Sequence, residues 1–266
     1  MIIPKRKTDL NVHVRNLFAD GRPIVLVHGV SASADYWGKV IELLPRDRPV
    51  ISYDLRGHGT SGKLTPPWTV DDFAKDHVEL LDALGLDDVD LVGCSLGGII
   101  SQAITLNYPE RVHRLVLVSS VAGRTPEESE RSLARLHRIE NNTIEEIAEE
   151  SVVRWHTPEY IEEHPEVREK VLAQLRHLDR ESYAASYRVL ATTDHVDRLG
   201  EIAVPTVAIT GEGDVGSTAR MSELIAERVQ NGRAVIVEGA KHSLLSETPE
   251  VVARVITEHF ATGGEQ

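Results

Sequence analysis

Leu91-Val92-Gly93-Cys94-Ser95-Leu96-Gly97-Gly98 is the stretch on which the fold turns. Val89, Leu91 and Val92 lead into it as an apolar, strand-like run bounded by Asp87-Asp88. Ile99, Ile100, Ala103, Ile104 and Leu106 follow at helical spacing until Tyr108-Pro109 ends the segment. A strand therefore turns into a helix at Ser95. The spacing Gly-x-Ser-x-Gly says how: the serine takes a strained backbone, and the flanking glycines remove side chains that would strike the neighbouring strand or helix. The hydroxyl is pushed clear of the sheet above a helix N-terminus, as a nucleophile needs.

Outward from this turn, strand candidates alternate with helical segments. They are Val12–Phe18, Ile24–His28, Val50–Asp54, Val89–Cys94, Leu115–Ser119, Val204–Thr210 and Ala234–Val237. Ile24-Val25-Leu26-Val27 and Leu115-Val116-Leu117-Val118 are apolar without interruption, the mark of strands buried on both faces. The fold class is α/β, a mostly parallel sheet flanked by helices. Val12–Phe18 alternates in polarity and reads as an exposed antiparallel edge. Between about Arg124 and Gly200 the alternation stops. Apolar residues there fall at helical spacing (Leu133, Leu136, Ile139; Ile144, Ile147; Val167, Val171, Leu175), which predicts about four inserted helices. The insertion leaves the sheet after a strand's carboxyl end, where such proteins bind ligands, so it reads as a lid. The expected division is a core of residues 1–123 and 201–266 with a lid over 124–200.

With 29 Lys+Arg against 42 Asp+Glu, the 266-residue chain carries a formal charge of −13. Its longest basic run is Lys5-Arg6-Lys7, so nucleic acid and anionic membrane are poor partners. A substrate carboxylate would need a local Arg or Lys. The single cysteine, Cys94, rules out an intramolecular disulfide framework and reads as a small buried apolar residue. No segment reaches the roughly 20 apolar residues of a membrane span, and Met1-Ile2-Ile3-Pro4-Lys5-Arg6-Lys7 lacks a signal-peptide core; a soluble cytoplasmic protein is expected. No glycine-rich nucleotide loop opens a helix, and Asp54 with His58 has no third ligand in spacing, so neither cofactor nor metal is expected.

A serine hydroxyl needs a base, and the base needs an orienting group. Val204–Thr210 runs into Gly211-Glu212-Gly213-Asp214, and Ala234–Val237 into Glu238-Gly239-Ala240-Lys241-His242-Ser243. Both loops leave the sheet's carboxyl edge. His242 is the favoured base, and Asp214 is preferred over Glu212 as its partner. His77 and His259 lie on amphipathic helices and read as surface residues; His28 reads as a brace for its own loop. Acyl transfer also needs oxyanion donors, expected from the backbone N–H groups of Leu96 and Val30.

Together, His28-Gly29-Val30-Ser31, Asp54-Leu55-Arg56-Gly57-His58-Gly59-Thr60-Ser61, Gly93-Cys94-Ser95-Leu96-Gly97-Gly98, Tyr108-Pro109-Glu110-Arg111-Val112, Gly211-Glu212-Gly213-Asp214 and Gly239-Ala240-Lys241-His242 resemble the α/β-hydrolase superfamily over nearly the whole chain. The order Ser, Asp, His is the one that family uses. Within it, Arg154-Trp155-His156-Thr157-Pro158 and Tyr183-Ala184-Ala185-Ser186-Tyr187-Arg188 look like the lid of 3-oxoadipate enol-lactonases and related carboxylesterases. The resemblance implies a cofactor-free serine hydrolase of a small ester or lactone. Trp155, Tyr183 and Tyr187 would line the acyl pocket, and Arg154 or Arg188 would meet a substrate carboxylate. Two other readings keep the same constellation: a ligand sensor with slow or single turnover, and a C–C bond hydrolase or lyase.

Overall fold

The structure, a computed structural model, describes residues 9–261; the run Lys5-Arg6-Lys7 lies outside them. Seven strands among the described residues form one sheet: β1 (Val12–Arg15), β2 (Ile24–Val27), β3 (Val50–Tyr53), β4 (Val89–Cys94), β5 (Val112–Val118), β6 (Thr206–Gly211) and β7 (Gly232–Val237). Their order is β1-β3-β2-β4-β5-β6-β7. Only β1 runs antiparallel, pairing Val12 with Tyr53 and Arg15 with Val50 at one edge. It is shorter than its alternation suggests, because the chain leaves the extended region at Asn16, where φ is 56°.

The uninterrupted apolar runs are explained by the two layers they serve. Val25, Val27, Leu91, Leu115 and Leu117 point to one face. There they meet Phe73, Leu80 and Leu81 of α2 (Val70–Leu84, after the short α1, Gly38–Leu43) and Ile100 and Ile104 of α3 (Leu96–Asn107). Ile24, Leu26, Val92, Val116 and Val118 point to the other and pack on Trp37, Val40 and the C-terminal helix residues Val252 and Ile256. With every position of the runs 24–27 and 115–118 buried, alternation of polarity disappears there.

Between β5 and β6 the chain folds as five helices, one more than the periodicity suggests: α4 (Pro126–Asn141), α5 (Ile144–Trp155), α6 (Pro158–Glu163), α7 (Val167–His177) and α8 (Arg180–Thr192). The extra one is the six-residue α6, too short to show a period; Thr157 caps it and Pro158 starts it. Capping boxes start α4 and α5 (Thr125 with Glu128, Thr143 with Glu146). The five helices close around their own apolar cluster, including Leu136, Ile139, Ile147, Val171, Leu175 and Tyr183. Leu133, expected on that face, is exposed instead. The chain finishes with α9 (Ala219–Arg228), α10 (Leu244–Glu247) and α11 (Pro249–Ala261).

Two histidines depart from expectation. His77 is fully buried on α2, its Nδ1 3.1 Å from the Tyr53 hydroxyl. His259 is buried on α11, with Nε2 3.1 Å from the Pro205 carbonyl oxygen. Helix periodicity identifies a polar position, but the sheet's neighbours decide whether that position is wet.

Candidate active site

Ser95 sits between β4 and α3 with φ 53° and ψ −113°, a left-handed conformation costly for a residue with a side chain. The glycine spacing shows why it is held there. A Cβ on Gly93 would lie 2.2 Å from the Gly97 carbonyl oxygen, and one on Gly97 2.2 Å from that of Val27. Strand, elbow and helix approach so closely that alanine fits at neither position. Gly29 of the loop after β2 lies against the serine itself; a Cβ there would be 3.2 Å from Ser95 Cβ. Leu96 is the first residue of α3, so its N–H has no acceptor within the helix.

The loop after β2 is braced from below. His28 Nε2 accepts the Leu55 N–H at 2.9 Å, and His58 Nε2 accepts the Ser31 N–H at 3.2 Å. Burial, then the charge of His58, push the His28 pKa down to about 3, so the ring stays neutral as this acceptor role requires. Asp54 takes the N–H groups of Ala34 and Thr60 and the Asn11 amide. Asp54, His28 and His58 thus spend their polar atoms on the loop.

Asp214 ends the turn after β6 and is buried. Its Oδ1 accepts the N–H groups of Gly216 (2.8 Å) and Ser217 (3.0 Å), and its Oδ2 accepts His242 Nδ1 at 2.6 Å. Burial raises its pKa, but the His242 charge and hydrogen bond and the two amides outweigh that and hold the carboxyl below the ordinary carboxylate value. A carboxylate only accepts, so Nδ1 of His242 carries the proton and Nε2 is the ring nitrogen left to act as a base. Glu212, the local rival, is exposed and accepts the Gly239 N–H instead. The His242 carbonyl is fixed in turn by the Ser119 hydroxyl at 3.2 Å.

Ser95 and His242 line one cavity of about 310 Å³, roofed by the inserted helices. No hydrogen bond joins the Ser95 hydroxyl to His242 among the described residues. Val30, Arg154, Trp155, Tyr183 and Tyr187 line the same cavity, as the sequence suggests. Tyr183 and Tyr187 also belong to the inserted helices' apolar cluster, so each serves packing and lining at once. Arg188 is a correction. Its side chain is 55% exposed, paired with Glu140 on α4, and absent from the cavity wall, because α8 turns Tyr187 inward and the next residue outward. Arg154 lies on that wall with its guanidinium over Gly216 and makes no ion pair among the described residues. Cys94 is buried as expected, its thiol pushed up to about 12 by burial and by Asp214.

Two contacts had no signal in the sequence. Gln174 of α7 donates to the Ser31 carbonyl at 2.7 Å, tying the inserted helices to the loop after β2. Glu247 of α10 accepts His156 Nδ1 (2.9 Å), the Thr157 N–H (3.2 Å) and the Thr157 hydroxyl (2.9 Å). Both link residues some 90 or more positions apart.

The (E)-2-((N-methylformamido)methylene)succinate hydrolase of Acinetobacter baylyi is 30% identical over 235 residues, 88% of either chain. The 3-oxoadipate enol-lactonase 2 of the same organism is 28% identical, covering 87% of this chain and 86% of its own. The crystal structure of a hydrolase from Pseudomonas aeruginosa PA01 superposes with a TM-score of 0.88 at 28% identity, over 96% of this chain and 95% of that one. Residues 22–156 match the family described as alpha/beta hydrolase fold, and the chain belongs to that family of hydrolases.

Proposed function

We propose that the protein is a serine hydrolase that opens a small carboxylic ester or lactone bearing a carboxylate, through an acyl-enzyme on Ser95. The observation that carries the reading is the 2.6 Å bond from His242 Nδ1 to buried Asp214, on the wall of the cavity that Ser95 enters. His242 Nε2 takes the Ser95 proton as Oγ attacks the carbonyl carbon. The Leu96 and Val30 amides receive the oxyanion, the first from a helix N-terminus whose dipole favours negative charge. Collapse breaks the acyl–oxygen bond, and His242 returns the proton to the leaving oxygen. Water, deprotonated by the same ring, then attacks the acyl carbon and frees Ser95.

Arg154 supplies the local cation that an acidic protein needs to draw in an anion. The two curated relatives are named for succinate and oxoadipate substrates, which favours a carboxylate on the substrate here. Residues 124–200 act as the lid, and Trp155, Tyr183 and Tyr187 contact the acyl group. Ser95→Ala tests the reading: turnover of p-nitrophenyl esters falls by about a thousandfold or more with folding intact. A loss under about tenfold in the folded variant refutes it.

A further inference from the structure

The stretch Arg154-Trp155-His156-Thr157-Pro158 spans the corner between α5 and α6, and only its first two residues have a place in the proposed chemistry. The corner is tied to the opposite end of the chain by two sets of contacts. The Ser243 N–H donates to the Trp155 carbonyl at 3.0 Å, and His156 Nε2 lies 3.5 Å from the Ser243 hydroxyl. Glu247 receives His156 Nδ1, the Thr157 N–H and the Thr157 hydroxyl. The Glu247 N–H in turn donates to the Ser243 carbonyl at 3.0 Å. The Glu247 and His156 side chains are only 7% and 6% exposed.

Ser243 directly follows the base, His242. Trp155 directly follows Arg154, one of the basic side chains on the cavity wall and the one proposed to meet a substrate carboxylate. One buried carboxylate therefore sits behind both groups that must be held relative to Ser95. The geometry points to Glu247 as a positioning residue: through His156 and Thr157 it sets the His242 loop and Arg154 together, registering the inserted helices on the core. Three donors converge on two oxygens in a dry pocket. A carboxylate meets that demand, whereas removing it strands the His156 N–H and both Thr157 donors. A displacement of about 1 Å at a proton-transfer partner is worth up to about a hundredfold in rate, so the contact matters beyond stability.

This inference rests on the proposed function, and the test separates the two. Glu247→Ala is assayed with a neutral ester and with an ester carrying a carboxylate, using rates per titrated active site. The expected result is a fall in kcat of about 10- to 100-fold on both substrates, and a rise in KM confined to the anionic one. Glu247→Gln, which keeps one acceptor and the shape, recovers most of both. If Glu247→Ala does not fold, Thr157→Val, which removes one of the three donors, carries the test and moves the same two quantities in the same directions by less. A lower Tm with kcat per active site and anionic-to-neutral selectivity both unchanged overturns the inference. Wild-type rates that survive Ser95→Ala overturn the reading beneath it instead.

Discussion

Chemistry in this protein is decided by which single side chains are held and which are free. Gly93 and Gly97 let strand, elbow and helix approach more closely than any Cβ would allow, and Ser95 carries the strain of a φ of 53° at that tight elbow. Arg154 and Arg188 make the opposite comparison. Both are arginines of the inserted helices, but Arg188 is neutralised by Glu140 in solvent while Arg154 faces the cavity without an ion-pair partner among the described residues. Arg154→Gln is expected to raise KM for a carboxylate-bearing ester by about tenfold or more, the worth of one hydrogen bond to a charged group. Arg188→Gln should leave KM within about twofold, because an exposed pair contributes little. Steady-state kinetics on paired charged and neutral esters checks both.

At the scale of elements, the inserted helices are individually well started. The Thr143 and Glu146 capping box begins α5, whose last residues reach the cavity as Arg154 and Trp155. Replacing the cap with Thr143→Ala should cost about 1 kcal/mol of local stability. Amide hydrogen exchange would register it as faster exchange over α5 with β4 and α3 unchanged. The elements were also where the sequence spoke most clearly. The elbow at residues 93–97, the acid after β6 and the histidine after β7 were all readable, because βα boundaries leave glycines, caps and apolar runs in the linear order. The orientation of Arg188 and the burial of His77 and His259 were not, because a helix's wet and dry faces are set by neighbours distant in the chain. The bond between Glu247 and His156 joins residues 91 positions apart and leaves no periodicity to find.

Taken whole, the molecule keeps several imidazoles dry and neutral inside an acidic protein. Burial and then the charge of Arg111 push His77 down to about 3, and His28 is pushed as far. Unfolded histidines bind protons near pH 6.5 and these do not until about 3, so the unfolded state binds more protons in that window. Their contribution to stability is complete above about pH 6.5 and is lost as the pH falls, by up to about 1.4 kcal/mol per pH unit for each ring. Thermal unfolding between pH 7 and 5, above most carboxylate titration, should show Tm dropping with acid. His77→Phe should flatten that slope even if it lowers Tm at pH 7. A slope unchanged by His77→Phe would rule this source out.

The separate apolar cluster of α4 to α8 has a consequence for how such a protein changes over generations. Because α4 to α7 pack among themselves and only α8, through Val189, joins the sheet's cluster, mutations among them can reshape the roof while the floor that holds the serine stays put. Selection for a new acyl group should accumulate its successful changes in that roof, and a sheet this tightly packed should record almost none.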